Sequence, residues 1–290
     1  MYWLETGSLG TIGLYVLAIV AGVVAGAVNT LAGSGSALTL PMLVMLGLSA
    51  PEANATNRVG VLLSSLVGTR TFKQKGVLET KGVPWLIVPA GVGSIVGAII
   101  ATRLDKEDMK LVIAAVMIVL LVMIITQPNR WIREHREPIL NHRSLSTQAI
   151  FFFVGLYGGF IQAGVGILLL AALVLNAHYS LVRANAIKVL LVFAFTIPAL
   201  IVFSLHDQVR WGFGLFMAVG QCSGAWMAAR FAADHPQANV WIRRLLIVLI
   251  ITFLIRLLLP PSDQGDAEDL GRFNHPSYAM ESNSTGTTTP

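Results

Sequence analysis

The sequence predicts an all-α integral membrane protein made of two inverted-topology repeats of about five helical segments each. This corresponds to about 8–10 transmembrane helices, some of them short or re-entrant. Three observations lead to this fold class. Charged residues are scarce and separated by long apolar runs, motifs of the first half recur in the second, and equivalent loops differ in charge. Together they predict membrane helices, a duplication and an inversion of the second half.

The scarcity of charged residues indicates that the chain lies in a membrane rather than in water. Asp, Glu, Lys and Arg make up 12% of the 290 residues and 55% are hydrophobic, whereas soluble domains carry about 25% charged residues. Long apolar stretches match the roughly 20 residues that cross a hydrocarbon core. A soluble chain of this composition would expose too much apolar surface to water, so a soluble protein is excluded.

Two motifs recur at a constant distance along the chain. Gly164 lies 131 positions after Gly33, within Ala-Gly-x-Gly in both places, and Asn185 lies 131 positions after Asn54, within Ala-Asn-Ala in both places. Two further small-residue motifs recur in the same order. Four matches in one order indicate a duplication, with a first membrane repeat at 8–127 and a second at 148–259.

Each half contains five apolar segments. In the first half they cover approximately 9–32, 35–48, 54–71, 83–102 and 108–127, and in the second 148–164, 166–178, 184–204, 210–231 and 239–259. The second segment of each half is short for a full crossing, so it is either a re-entrant leg or a short helix. Both alternatives leave an odd number of crossings per half, which places the second half upside down.

Loop charges support the inversion independently. The loop 71–82 is strongly basic, whereas its repeat partner 206–210 is close to neutral, and the next pair of loops shows the opposite bias. Because basic residues concentrate in cytoplasmic loops, 71–82, the linker 128–147 and 232–240 are predicted to be cytoplasmic, and both termini extracytoplasmic. The polar tail 260–290 contains no apolar run and is predicted to be disordered.

Polar side chains surround a glycine-rich interruption between the first and second segments of each half. These side chains are Asn29, Ser34, Ser36 and Gln162. Polar residues are costly in a membrane, so those that persist are candidates for substrate binding. Helix breaks are predicted at Gly33, Gly35, Gly164 and Gly166, where freed N–H groups and helix N-termini would donate to an anion. In the alternative interpretation, these glycines only permit close helix packing.

A second polar cluster is predicted to open the third segment of each half. Asn54, Asn57 and Arg58 share one helix face, and Asn185 and Lys188 are spaced i, i+3 in the second half. An amide beside a fixed cation suits a carboxylate, sulfite or sulfonate group. In the alternative interpretation, the two cations extend to the membrane interface and only anchor their helices.

Several chemistries are excluded by what these apolar segments lack. Every Asp and Glu falls in a loop, a helix end or the tail, the histidines show no metal-ligand spacing, and Cys222 is the single cysteine. No nucleophile–base pair is apparent, so we expect no enzyme activity, no metal and no cofactor. The net charge of +5 comes from membrane-flanking basic residues, so a nucleic-acid partner is not expected.

The same segments resemble the sulfite exporter TauE/SafE family. The resemblance rests on Asn29-Thr30-Leu31-Ala32-Gly33-Ser34-Gly35-Ser36, on Leu40-Pro41-Met42-Leu43, on Ala53-Asn54-Ala55-Thr56-Asn57-Arg58 and on Gly68 through Gly76, and it spans 8–259. Here Gly-Ser-Gly-Ser stands where the family usually has a longer glycine run. The resemblance implies a bacterial inner-membrane carrier of sulfite, sulfonates or related small organic anions.

We therefore expect a secondary membrane transporter of small organosulfur or organic anions, with alternating access around a mid-membrane site. Its expected partners are a small anionic substrate and the lipid bilayer, and a homo-oligomer is compatible with the sequence. Two alternatives remain open at this point. One is a membrane scaffold or accessory subunit without flux of its own, and the other is an anion channel.

Overall fold

The computed structural model describes residues 8–78, 80–126, 144–176 and 179–234, and this part of the chain is helical throughout, without strands. The first half contains α1 (Ser8–Ala32), α2 (Ser36–Met45), α3 (Ala50–Gln74), α4 (Pro84–Thr102) and α5 (Lys106–Thr126). The second half contains α6 (Leu145–Phe160), α7 (Val165–Ala171) with a π-helical turn Ala172–Asn176, α8 (Leu181–Leu205) and α9 (Trp211–Asp234). The predicted tenth segment 239–259, nearly all of the linker 128–147 and the tail 260–290 lie outside the described residues.

The nine predicted segments that fall in the described part are each helices, and the largest errors are at their ends. The start predicted for the third segment, at residue 54, is wrong because α3 begins at Ala50 after the N-cap Ser49. Glu52 accepts hydrogen bonds from the Ser49 N–H at 3.0 Å and from its hydroxyl at 2.8 Å, and Pro51 stands in the first turn. Such a capping arrangement satisfies donors that a helix start leaves unpaired.

The helices are interrupted at two of the four predicted glycines, whereas Gly35 is the N-cap of α2 with helical backbone angles and Gly166 lies within α7. Gly33, with φ of 76°, ends α1, and Gly164, with φ of 71°, precedes α7. Gln162 also has a positive φ of 56°, a strained conformation for a non-glycine residue. The second break is therefore wider than predicted, since α6 ends at Phe160 and α7 begins at Val165.

The third helices of the two halves pack side by side in opposite directions. Arg58, near the start of α3, lies over the ring of Phe203, near the end of α8, at 4.5 Å from the ring centroid. Gly68, farther along α3, faces Val189 near the start of α8. The order of contacts reverses along the second helix, so α3 and α8 are antiparallel.

The fourth helix of each half packs on the first helix of the other half. Gly93 and Gly97 of α4 face the backbone of Phe152 and Leu156 on α6. Gly220 and Gly224 of α9 likewise face the backbone of α1 one turn apart, at Ile19 and Val23. These glycines let the helices approach backbone to backbone, and both pairs of helices run parallel.

The exposed faces of several described helices are apolar. Among the described residues, α4 (Pro84–Thr102) and residues Val182–Leu205 of α8 are long and apolar enough to cross a membrane. Large apolar side chains are exposed along α4, α5 and α9, for example Val88 at 65%, Leu111 at 75% and Val219 at 62% exposure. Lipid is the solvent that such a surface fits.

Candidate functional site

The two helix breaks touch each other in the middle of the helix bundle. The Gly166 N–H donates a hydrogen bond to the Gly33 carbonyl at 3.1 Å. A Cβ atom added to either glycine would overlap the backbone of the other. Both positions require glycine because the two backbones lie so close together. Gly33 has a second reason, its positive φ, which residues other than glycine rarely adopt. Gly35 serves close approach as well, because a Cβ there would overlap the Ala25 carbonyl.

Arg58 and Asn54 of α3 cap the broken end of α6. The Arg58 guanidinium donates to the Gly158 carbonyl at 2.9 Å and to the Gly159 carbonyl at 2.7 Å. The Asn54 Nδ2 donates to the Phe160 carbonyl at 2.8 Å. The last four carbonyls of a helix have no partner within it. Two side chains of the first half thus satisfy three terminal carbonyls of a helix in the second half.

Lys188 of α8 does the same for the broken end of α1. Its Nζ donates to the Asn29 carbonyl at 3.1 Å, to the Thr30 carbonyl at 2.8 Å and to the Asn185 Oδ1 at 2.9 Å. Lys188 and Asn185 are both buried. The capping is therefore reciprocal, since each half supplies an amide–cation pair for the break of the other half. Asn54 and Asn185 lie in the second turns of α3 and α8, so the prediction that they open these helices is wrong.

Asn57 has a different environment from its repeat counterpart Lys188. Its Nδ2 donates to the Ser36 hydroxyl at 3.0 Å, and its Oδ1 accepts from the Thr39 hydroxyl. Asn57 and Ser36 therefore join α3 to the first turns of α2 inside the first half. The predicted polar face of α3 is thus divided between two helices, because Asn57 contacts α2 while Arg58 contacts α6.

Four buried polar atoms beside the two breaks lack a hydrogen-bond partner in the described part of the chain. They are Ser34 Oγ, Asn54 Oδ1, Arg58 Nε and Gln162 Oε1. Gln162 is held on its other side by the Thr196 hydroxyl, 2.6 Å from its Nε2. Unpaired buried polar atoms are rare and costly, and a binding site is one setting in which they persist.

The crossing of the two broken helices is the backbone contact between Gly33 and Gly166. The predicted residues differ in how closely they approach it. Asn54, Arg58, Gln162, Asn185, Lys188, Ser34 and Ser36 are buried at the breaks or on the helices that cap them. Asn29 is half-buried, and its contact with Lys188 is made by its main-chain carbonyl. The carboxylates of the described residues lie in loops or first and last helix turns, so fixed charge at the crossing is positive.

The sequence prediction missed several polar residues near the crossing, including Tyr157, whose hydroxyl donates to the Ala163 carbonyl in the second break at 2.6 Å. Thr39 and Thr196 are buried and bond to predicted residues. Gln221 of α9 is buried against Gly26 and Gly60, and its Nε2 has no partner among the described residues. A glutamine within an apolar segment is itself unusual, so the rule applied to Gln162 would have identified Gln221. A threonine in a membrane helix is too common to be informative.

Comparisons with known proteins bear on this arrangement. The family model described as "Sulfite exporter TauE/SafE" matches residues 18–257. The chain is 26% identical over 243 residues to a Sinorhizobium protein named "Probable membrane transporter protein ORF9", covering 84% of this chain and 92% of that protein. It is 28% identical over 247 residues to the "Probable membrane transporter protein YfcA" of Escherichia coli strain K12, covering 85% and 90%.

A third relative, from Haemophilus influenzae, is named "Probable membrane transporter protein". It is 23% identical over 256 residues, which cover 88% of this chain and 98% of that protein. No solved structure matches the chain. The family-model match covers both helix breaks and also α3 and α8, the two helices that carry the capping side chains.

Proposed function

The chain belongs to the sulfite exporter TauE/SafE family, and from this we propose that it is a secondary transporter of small organosulfur or organic anions. Its relatives carry names of membrane transporters, and a membrane location follows from the family. We place it in the bacterial inner membrane, with both termini extracytoplasmic. Transport would proceed by alternating access around an anion site at the crossing of the two broken helices.

The balance of charge at the crossing carries this proposal. A helix C-terminus has a partial charge of about −0.5, so the ends of α1 and α6 together contribute about −1. Arg58 and Lys188, both buried against those ends, contribute two positive charges as protonated side chains. The two side chains therefore outweigh the two helix ends, the N-terminus of α2 beside Gly35 adds further positive charge, and no described carboxylate lies nearby to balance it. A buried positive excess favours an anionic ligand.

Two features of the helix arrangement support an inverted repeat as the basis of alternating access. The antiparallel α3 and α8 are expected if the second half is upside down. The exchange of contacts between α4 and α6, and between α9 and α1, relates two equivalent pairs of helices. Inverted repeats of this kind let one bundle rock against the other around a central site.

The first test is the thermal stability of the detergent-purified protein with a panel of sulfite, thiosulfate, sulfonates and simple carboxylates. An anion at about 100 times its dissociation constant raises the free energy of unfolding by roughly 2.7 kcal/mol. We expect a selective rise for some members of the panel. Arg58→Lys keeps the charge but loses the forked donor geometry, so the rise should disappear in this variant, whereas exposed Arg103→Lys should retain it.

Flux into liposomes separates the carrier from its alternatives. A carrier saturates with substrate concentration, whereas a channel conducts without saturating. A protein that binds no anion in the panel and shows no flux, but co-purifies with a fixed partner, would instead be a scaffold or accessory subunit. Wild-type binding and flux in Arg58→Lys would refute the proposed site.

A further inference from the structure

The two amide–cation pairs at the crossing differ in how many of their hydrogen bonds are already made. The Lys188 ammonium has three donors, and three acceptors lie within 3.1 Å of it. Asn185 Oδ1 is one of these acceptors. Neither residue contributes an atom to the buried polar atoms without a partner. The Lys188 ammonium and the Asn185 Oδ1 are therefore already paired by the protein itself.

The pair formed by Asn54 and Arg58 is not saturated. The Phe160 carbonyl can only accept, so the atom of Asn54 that faces it is the Nδ2 donor, and the amide orientation is fixed. The remaining Oδ1 is a buried acceptor without a donor, and Arg58 Nε–H is a buried donor without an acceptor. Both side chains are fully buried, and they lie one helical turn apart on the same face of α3.

We propose that the substrate binds at the Asn54–Arg58 pair beside the end of α6, and that it carries a hydrogen-bond donor in addition to its anionic oxygen. The inference rests on the proposed function and assigns the substrate class for that site. The anionic oxygen accepts from Arg58 Nε–H, and the donor of the substrate binds Asn54 Oδ1. Asn185 and Lys188 are positioning residues, which hold the end of α1 and leave the ligand to the other pair.

The donor requirement follows from the cost of unpaired buried groups. A ligand that offers only acceptors satisfies Arg58 Nε but leaves Asn54 Oδ1 unpaired and cut off from water. For this reason, sites that are built to bind a hydroxyl group reject analogues that lack one. Two kinds of ligand offer both an acceptor for Arg58 Nε–H and a donor for Asn54 Oδ1. They are sulfonates and carboxylates with a hydroxyl or amino group, and singly protonated oxyanions. Fully deprotonated anions without a hydroxyl or amino group offer only the acceptor.

Matched ligand pairs test the donor requirement on the intact protein. Isothermal titration in detergent would compare 2-hydroxyethanesulfonate with ethanesulfonate, and glycolate with acetate, each pair differing by one hydroxyl group. For at least one pair, we expect the hydroxylated member to bind about tenfold or more tightly. This preference should disappear in Asn54→Ala and persist in Asn185→Ala, the matched change in the other half.

A second measurement separates the binding pair from the positioning pair. Lys188→Arg retains a cation at the end of α1, so we expect it to keep the dissociation constant within about threefold while the maximal flux falls. Arg58→Lys should instead raise the dissociation constant. Equal binding of both members of each pair would overturn the donor requirement and leave the anion carrier standing. Binding of none of the four ligands, sulfite or thiosulfate would overturn both proposals.

Discussion

Two glycines decide how closely the broken helices can cross. Gly33 and Gly166 touch through their backbones, and this contact brings the capped ends of α1 and α6 together. An alanine at either position would place a methyl group inside the opposing backbone. Unlike the tip of a flexible side chain, a backbone cannot move aside locally, so the helices themselves would have to separate.

Replacing Gly166 by Ala should therefore destabilise the protein by about 1–3 kcal/mol, the usual cost of overpacking. The measurement is the midpoint of thermal unfolding in detergent. Gly91→Ala is the matched control, since nothing lies within 4 Å of a Cβ added at Gly91 in α4, and alanine is the better helix former by about 0.5–1 kcal/mol. A drop of the same size in both variants would show that the backbone contact between Gly33 and Gly166 is not tight enough to exclude a methyl group.

The residue types at the site were predictable, but their partners were not. The cost of burying Asn54, Arg58 and Lys188 in a membrane is evident from one sequence. Their partners are backbone carbonyls in the opposite half, about 100 residues distant for Arg58, and every residue has a carbonyl. A sequence pattern cannot distinguish one carbonyl from another, so the reciprocal capping appears only in the three-dimensional structure.

At the scale of the helices, sequence prediction was most accurate for the middle of each segment and least accurate at the ends. The long apolar runs fixed α4 to within one residue at its start. The start of α3 was missed because its first turn contains Pro51 and Glu52, which are polar or helix-breaking in composition but well suited to a helix start. The π-helical turn after α7 has no sequence signature that composition alone would detect.

Glu52 links the start of α3 to the start of α9. It accepts from Ser49 and also forms an ion pair with Arg210, which directly precedes α9. Glu52→Ala removes both interactions and should cost about 1–2 kcal/mol of stability, mostly from the cap. Arg210→Ala removes only the partly exposed ion pair, worth about 0–1 kcal/mol. Thermal unfolding of both variants would check this order, and a larger loss for Arg210→Ala would contradict it.

At the scale of the whole molecule, the proposed inversion predicts which loops share a side of the membrane. The loop after α3 and the loop after α8 are equivalent in the two halves, so an inverted repeat places them on opposite sides. Lys81 and His206 are exposed residues of these loops. The single native cysteine, Cys222, is partly buried and can be replaced by Ala to give a background for labelling.

In that background, Lys81→Cys should react with a membrane-impermeant maleimide only after the cytoplasmic side is opened. His206→Cys should react in intact spheroplasts. The reason is the strongly basic charge of the first loop, which favours the cytoplasm. Labelling of both cysteines from one side would rule out the inverted topology.

The packing of each half's fourth helix on the first helix of the other half has a consequence for biosynthesis. α1 packs on α9, which begins roughly 180 residues after α1 ends. At about 5–20 residues per second, the ribosome takes about 10–40 s to deliver that partner. Until then the glycine-lined side of α1 has only lipid as a neighbour, and α4 likewise waits for α6. Neither half can complete its native contacts alone. A chain truncated after the first half should therefore be degraded by quality-control proteases. Simultaneous synthesis of both halves as separate chains should protect the first half from this degradation.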